Sequence, residues 1–87
     1  MIYVYVLQST AHPERFYVGL SAEPEIRIEN HNDGRNFHTA KWRPWRLTVC
    51  IAFASRQRAV TFERYLKSGS GRAFAKRHFS SSPAGQF

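Results

Sequence analysis

Residues 2–7 constrain the fold more than any other segment of this 87-residue sequence. Their side chains alternate with the period of two that is typical of a β-strand. Three aliphatic side chains fall on one face, and two tyrosines with a leucine fall on the other. Because both faces are large and apolar, the segment predicts a strand that other parts of the chain cover on both sides.

Two further elements follow directly along the chain. Residues 15–20 predict a second strand, joined to the first by a proline-containing hairpin loop, so the two strands should pair antiparallel. A first helix is predicted over residues 23–33, because Pro24 fits a first helical turn and Gly34 fits the left-handed residue after a helix.

The second half begins with residues 35–45, which lack periodicity and predict a loop long enough to carry function. Residues 47–53 predict a third strand rich in β-branched and apolar side chains. A second helix is predicted over residues 56–67, with Ser55 as its N-cap.

The C-terminal part contains a Ser-Gly-Ser-Gly run at residues 68–71, which predicts a break before a short basic helix over residues 72–79. Residues 80–87 predict a flexible tail. The fold class is therefore α/β, more narrowly α+β, with a small three-stranded antiparallel sheet flanked by helices. Residues 1–79 are expected to form one domain.

Composition limits the classes of site and the compartment. Cys50 is the only cysteine, which excludes an intrachain disulfide and a multi-cysteine zinc site and fits a reducing compartment. The apolar N-terminal run ends too early for a signal or transmembrane helix. We expect a cytoplasmic protein without membrane association.

The net charge of +7 is concentrated in the second half of the chain. Residues 1–40 carry three basic and five acidic residues, whereas residues 41–87 carry ten basic residues and one acidic residue. Such a density of cations favours a polyanion partner, because binding a nucleic-acid backbone releases condensed counterions. A basic surface that only confers solubility is the alternative, and charge alone does not distinguish DNA from RNA or from an anionic membrane.

A set of short motifs occurs in a fixed order along the sequence. Tyr3-Val4-Tyr5 is followed by Tyr17-Val18-Gly19, and later landmarks run from the first helix to the basic C-terminal segment. These landmarks are Arg27 with His31, His38-Thr39-Ala40-Lys41, Arg43-Pro44-Trp45, Phe62-Glu63, and residues 66–72. The ordered set resembles the GIY-YIG nucleases, in particular the small stand-alone bacterial proteins of that superfamily.

The resemblance implies a role for each of five residues. Tyr17 would act on the attacking water, Tyr5 would support it, and Arg27 would neutralise phosphate charge. His31 would assist, and Glu63 would hold one divalent metal ion, Mg²⁺ or Mn²⁺. The fold that the resemblance implies agrees with the elements predicted above.

These implied roles are chemically reasonable. A phenol ordinarily has a pKa near 10, so a tyrosine that acts as a base needs a nearby cation or metal. Arg27 and His31 are four residues apart, which places both on one helix face. Glu63 is the only carboxylate in residues 41–87, and Mg²⁺ takes few protein ligands beside water and phosphate.

Each residue also has a structural alternative. Tyr5 and Tyr17 are of a type common in strands, and Arg27 has acidic neighbours on its own helix. Glu63 and Lys67 have the spacing of a surface ion pair. The sequence also departs from some relatives by carrying Leu20 after the second motif, where they have a lysine.

Basic residues on both sides of the expected site are candidates for phosphate contacts. They are Lys41, Arg43, Arg46, Lys67, Arg72, Lys76 and Arg77. Trp42 and Trp45 would either stack on an unpaired base or cover the small core.

The function that these observations favour is a divalent-metal-dependent endonuclease that hydrolyses DNA, with single-stranded or branched DNA as the expected substrate and RNA not excluded. The alternative is a catalytically weak nucleic-acid-binding module with the same fold. A third hypothesis is a scaffold that docks another protein through the aromatic loop. The sequence implies no obligate protein partner.

Overall fold

The structure of the protein is a computed structural model that describes residues 1–79. It contains a three-stranded sheet and four helices, which confirms the predicted fold class. The predicted tail at residues 80–87 lies outside the described residues. The elements are β1 (Ile2–Ser9), β2 (Phe16–Ser21), α1 (Pro24–Asn32), α2 (Phe37–Ala40), β3 (Trp45–Phe53), α3 (Arg56–Leu66) and α4 (Gly69–His78).

The sheet has the strand order β2-β1-β3, and both pairs of strands are antiparallel. Strand β1 is central and nearly all of its residues are buried, whereas β3 is exposed or partly buried at every position after Trp45. In the register, Tyr5 lies opposite Gly19 on one side and Cys50 on the other. An irregularity in the pairing of β1 with β3 falls between Val6 and Leu7.

Two apolar clusters cover the two faces of β1, as the sequence predicts. On the first face, Val4 and Val6 pack with Ala59, Leu66 and Ala75 from helices α3 and α4. On the second face, the buried side chains are Tyr5, Leu7 and Trp45, with Ile28 of α1 packed against them. Burying a large aliphatic or aromatic side chain contributes about 1.5–3 kcal/mol, so the sheet is stabilised from both sides.

Helix α1 lies within one residue of its predicted bounds. Pro24 occupies its first turn, and Gly34 follows its C-terminus with a φ of 78°. The guanidinium of Arg43, from the following loop, lies directly beside Gly34. This arrangement brings residues 35–45 close to α1.

The predicted loop over residues 35–45 is wrong in part, because it contains the short helix α2. Asn36 caps this helix by accepting a hydrogen bond from the His38 backbone N–H at 2.9 Å. Strand β3 begins at Trp45, two residues before the predicted start. The Trp45 N–H donates to the Asn32 side chain at 2.6 Å, so a contact with α1 extends the strand.

The predicted break before the last helix is present, but its bounds at residues 68–71 are wrong, because α3 ends at Leu66 and α4 already begins at Gly69. Ser68 caps the helix by accepting from the Gly71 N–H at 3.2 Å. A Cβ at position 71 would overlap the Tyr65 carbonyl, so glycine here permits close packing of α4 on α3 rather than ending a helix. No helix within residues 1–79 has the length and apolar character needed to cross a membrane.

Candidate active site

Tyr5 is the centre of a polar cluster on the α1 side of the sheet. Its side chain is fully buried, and its ring crosses the neighbouring strand at Gly19. A Cβ at position 19 would overlap the phenol ring, so the Tyr17-Val18-Gly19 motif has a steric reason for its glycine. The two motifs of the sequence therefore meet directly in the sheet.

His31, in the last turn of α1, is the direct partner of Tyr5. Its Nε2 lies 3.0 Å from the Tyr5 hydroxyl, and its Nδ1 lies 2.8 Å from the Thr39 hydroxyl. The Thr39 hydroxyl donates its own proton to the Asn36 carbonyl at 3.4 Å, so its oxygen accepts from Nδ1–H. This network assigns Nε2 as the unprotonated nitrogen, which accepts from the Tyr5 hydroxyl.

The protonation states of this pair follow from burial and from Arg27. Burial raises the pKa of Tyr5, and the nearby Arg27 guanidinium offsets part of that rise. Burial and the charge of Arg27 together lower the pKa of His31. At neutral pH, Tyr5 is therefore a neutral hydrogen-bond donor and His31 is a neutral imidazole.

Tyr17 joins the same cluster from strand β2. Its ring centroid lies 4.7 Å from that of His31 and 6.3 Å from that of Tyr5. Unlike Tyr5, it is only partly buried, and it lines a cavity of about 460 Å³ together with Arg15, Lys67 and other residues. Tyr17 is therefore the tyrosine of this pair that a bound substrate can reach.

Arg27 and His31 face a second, smaller cavity. It has a volume of about 270 Å³ and is also lined by Asn30, Arg35 and Asn36. The helical spacing of Arg27 and His31 thus places both on one surface, as predicted. The rings of Tyr17 and His31 are 4.7 Å apart between centroids, and each residue lines a different one of the two cavities.

Glu63 is connected to the cluster only indirectly. Its Oε2 lies 2.6 Å from the Lys67 ammonium, so the ion pair expected from their spacing is formed. Lys67 in turn lines the cavity of Tyr17. The structure brings Tyr5, Tyr17, Arg27 and His31 together. Glu63 lines neither of the two cavities, and only its ion-pair partner Lys67 lines that of Tyr17.

The donor set restricts the kind of metal site that this chain offers. Within residues 1–79, no group of three or more His, Cys, Asp or Glu side chains is arranged to hold an ion. Glu63 fits a hard cation such as Mg²⁺, which retains water ligands and needs few carboxylates when a phosphate is bound. Lys67 competes with such an ion for one oxygen of Glu63.

The seven predicted phosphate contacts are all exposed, but they lie in different places. Lys67 and Arg72 line the cavity of Tyr17. Lys41 and Arg43 line a separate cavity beside α2. Arg46 donates to the Gln8 side chain at 2.7 Å on β1, and Lys76 and Arg77 lie in the last turn of α4, outside these two cavities.

The two tryptophans differ in their surroundings. Trp45 is buried, and its indole N–H donates to the Thr39 carbonyl at 2.9 Å, so it packs in the core. Trp42 is partly buried, with the Arg15 guanidinium 4.1 Å and the Lys41 ammonium 5.1 Å from its ring centroid. Burial leaves Trp45 without the open face predicted for base stacking, whereas Trp42 has two cations close to its ring.

Sequence reasoning missed Arg15 and Thr39. Arg15 lines the cavity of Tyr17, and its position two residues before Tyr17 in an extended segment was an available signal. Thr39 lies within a recognised motif, but nothing in the sequence indicates that its hydroxyl faces His31. The contact between Thr39 and His31 joins helices α2 and α1, which are separate in the sequence.

Comparison with known proteins agrees with the geometry. Residues 1–78 match the family model described as the GIY-YIG catalytic domain. Structure-specific endonuclease subunit SLX1 of Candida dubliniensis is 34% identical over 84 residues, which cover 88% of this chain and 28% of that protein. The protein of the same name from Scheffersomyces stipitis is 40% identical over 67 residues, covering 69% of this chain and 20% of that protein.

The Debaryomyces hansenii protein of that name is 35% identical over 72 residues, with 74% of this chain and 20% of that protein covered. The chain thus spans between a fifth and three tenths of the length of these curated relatives. These relatives come from yeasts, so they lend no support to the expected likeness to bacterial proteins in particular. The match over residues 1–78 nevertheless shows that the chain belongs to the GIY-YIG catalytic domain family.

Proposed function

We propose that this chain is a structure-specific endonuclease domain that hydrolyses phosphodiester bonds in DNA with the help of one divalent metal ion. The observation that carries the proposal is the contact cluster of Tyr5, Tyr17 and His31 beside the cation of Arg27. The printed name of the relatives, structure-specific endonuclease subunit, supports the same reaction class.

Tyr17 is the residue that we assign to the attacking water. Its side chain is partly exposed in a cavity that also presents the cations of Arg15, Lys67 and Arg72. These cations attract the phosphate, and Tyr17 can then bind the water that attacks it. Tyr5 is fully buried, so we assign it to supporting the site rather than to contacting the water.

Arg27 is assigned to the phosphate. Negative charge accumulates on the phosphoryl oxygens during transfer, and a planar guanidinium can bind two of them at once. Burial, together with this charge, lowers the pKa of His31, so its neutral imidazole accepts the hydrogen bond from the Tyr5 hydroxyl. His31 and Tyr5 thereby hold the aromatic cluster in a single arrangement.

Glu63 is the residue that would hold the metal ion, either Mg²⁺ or Mn²⁺. The ion would supply Lewis-acid stabilisation of charge on the phosphate and leaving oxygen. Lys67 must then release or share the carboxylate that it binds at 2.6 Å. Lys67 is free to turn toward a phosphate because about half of its side chain is exposed.

The expected substrate is branched or single-stranded DNA. A domain whose longest dimension is 33 Å contacts only a short length of duplex, so recognition of a junction or an unpaired segment is more economical. The name of the yeast relatives describes recognition of structure, which agrees with this choice. RNA of the same shape belongs in the test as a competing substrate.

The test is cleavage of labelled single-stranded, duplex, flapped and four-way-junction DNA, with matched RNA strands, in Mg²⁺ or Mn²⁺. We expect branched or single-stranded DNA to be cut and cleavage to stop in chelator. Glu63→Ala and Arg27→Ala should each lower the rate by about 10²–10³, the usual loss when an electrostatic stabiliser is removed. Equal cleavage by both variants would identify a contaminating nuclease or a different site.

A second candidate is a nucleic-acid-binding module with little activity. It is favoured by the Glu63–Lys67 ion pair, which occupies the proposed metal ligand, and by Leu20 in place of a lysine. This candidate predicts salt-dependent binding to every substrate above, with cleavage of none in either metal. Its log affinity should fall with log salt by about 0.7–0.9 per neutralised phosphate.

The relatives are named subunits, which contrasts with the expectation that no obligate protein partner is needed. We propose that this domain also works beside a partner protein. The proposal predicts a low rate for the domain alone on branched DNA. A full rate without any added protein would contradict it.

A further inference from the structure

Phe37 is the most exposed of the large hydrophobic side chains that residues 1–79 present to solvent. Its exposed fraction is 88%, compared with 50% for Ile26 and 46% for Leu47. A single exposed apolar side chain is common on protein surfaces and does not by itself mark a site. The residues around Phe37 make its position informative.

The outward direction of Phe37 is imposed by the residue two positions later. Thr39 is buried, its hydroxyl contacts His31, and its carbonyl accepts from the Trp45 indole. Residues two apart lie on nearly opposite sides of a helical turn, so anchoring Thr39 inward turns Phe37 outward. Asn36 caps the same turn, and the ring is therefore presented on a fixed element.

The surroundings of Phe37 are positively charged. A cavity of about 410 Å³ is lined by Phe37, His38, Ala40, Lys41 and Arg43, a set with two cations and no carboxylate. The ring of His38 meets that of Phe37 edge-on, with centroids 5.8 Å apart. An aromatic face flanked by cations is complementary to a nucleobase with its neighbouring phosphates.

This cavity lies next to the proposed catalytic residues. Asn36 lines the cavity of Arg27 and His31, and the following residue, Phe37, lines the cavity described here. A strand that occupies both cavities would place a phosphate at Arg27 and a neighbouring nucleotide at Phe37. The bases of a duplex are stacked on both faces, so only an unpaired base can meet this ring.

We propose that Phe37 stacks on an unpaired nucleobase next to the cleavage position, while Lys41 and Arg43 bind the flanking phosphates. The inference rests on the proposed function, because that function is what makes the expected ligand a nucleic acid. It adds a specificity site to that function, because an unpaired nucleotide becomes a requirement for tight binding. Of the two tryptophans considered from the sequence, Trp45 is buried and does not provide this contact.

The test is the affinity of the parent chain and Phe37→Ala for fluorescein-labelled DNA, measured by fluorescence anisotropy in chelator. We expect Phe37→Ala to bind a single strand about 5- to 150-fold more weakly, the loss that corresponds to one stacked base. Duplex binding should not change. Phe37→Trp should retain single-strand affinity, and Ile26→Ala should leave both affinities unchanged as the matched exposed-residue control.

A second measurement locates the base. Abasic nucleotides are introduced one at a time into the single strand, and each strand is tested with both proteins. At the stacked position, the abasic change should weaken the parent chain but leave Phe37→Ala unaffected, because both changes remove the same contact. Additive losses at every position, or single-strand binding of Phe37→Ala equal to the parent, would overturn the inference.

The two proposals fail in different ways. Binding is measured without metal, so a chain that shows the Phe37-dependent contact but cleaves nothing would disprove the nuclease and retain the stacking site. A chain that cleaves branched DNA, and whose Phe37→Ala variant binds a single strand as tightly as the parent, would do the reverse, and an acidic protein surface would then be the better occupant. Unchanged thermal unfolding of Phe37→Ala should accompany either result, since the side chain lies outside the core.

Discussion

The hydroxyl of Tyr5 lies 3.0 Å from Nε2 of His31, and both residues are buried. One comes from the central strand and the other from the end of the first helix, 26 positions later. Because Nδ1 is held by Thr39, this contact has one direction, from the tyrosine to the histidine. The hydrogen bonds of His31 therefore connect strand β1, helix α1 and helix α2.

Replacing Thr39 with valine should break the hydrogen bond to His31 Nδ1 while nearly preserving the shape of the side chain at position 39. The Nδ1–H of His31 would lose its buried acceptor, which costs about 1–3 kcal/mol of unfolding free energy. Nitrogen-15 NMR of the His31 imidazole should show loss of the single Nδ1–H tautomer. Thr39→Ser, which keeps the hydroxyl, should retain that tautomer, and an unchanged spectrum in Thr39→Val would contradict the network.

Replacing Gly19 with alanine should displace Tyr5. The new methyl group would overlap the phenol ring, and overpacking of this kind costs about 1–3 kcal/mol. Denaturant unfolding measures the loss, and cleavage of DNA should fall as the Tyr5–His31 contact lengthens. Gly69→Ala is the matched control, because a Cβ there meets no atom within 4 Å; equal effects of the two changes would disprove the steric explanation.

The pH dependence of stability should reveal the buried histidine. The pKa of His31 is lowered by folding, so below its ordinary value of about 6.5 the unfolded chain binds the proton more readily than the folded chain. Its contribution to stability is therefore complete above that pH and is lost as the pH falls toward the folded pKa. The midpoint of thermal unfolding should therefore fall as the pH is lowered from about 8 to about 5, a range that brackets the ordinary histidine pKa of about 6.5.

The matched variant for this measurement is His31→Gln, which removes the titrating group. The loss of stability on acidification should be smaller in this variant, although it starts from a lower stability because the contacts of His31 are broken. An identical pH profile in parent and variant would show that another group titrates on folding.

Replacing Glu63 with glutamine should separate metal binding from the ion pair. We expect cleavage to fall by about 10²–10³ at every metal concentration. The unfolding free energy should fall by at most about 1 kcal/mol, because the Lys67 side chain is 53% exposed and screened by solvent.

Lys67→Gln breaks the same ion pair but leaves the carboxylate free. Titration of the cleavage rate with Mn²⁺ should then show that Lys67→Gln retains metal-dependent activity whereas Glu63→Gln does not. Equal rates for the two variants would mean that the ion pair, and not a metal ligand, is what the site requires.

Two elements show where local patterns misled the prediction of secondary structure. The Ser-Gly-Ser-Gly run has the composition of a loop, yet α4 begins inside it at Gly69, and Gly71 packs closely against the Tyr65 carbonyl. Likewise, residues 35–45 show no period, but a single turn of helix is too short to produce one. In both segments, the contact that local patterns do not reveal is with another helix: Gly71 packs on α3, and Thr39 contacts His31 of α1.

The candidate site was predictable as a set of residues but not as an arrangement. The motif order identified Tyr5, Tyr17, Arg27 and His31, and the structure places these four together. The sequence did not reveal that Tyr5 is the buried tyrosine and Tyr17 the accessible one, since both occupy strands with similar patterns. Whether Glu63 holds a metal stays a prediction.

The order of strands and helices and the central position of an apolar segment are local properties, because they depend on the spacing of neighbouring side chains. Those features could be predicted from the printed residues alone. Burial, hydrogen-bond direction and the surroundings of Phe37 depend on side chains that are distant in the chain and meet only after folding. Packing therefore decided which tyrosine is accessible and which aromatic ring is exposed.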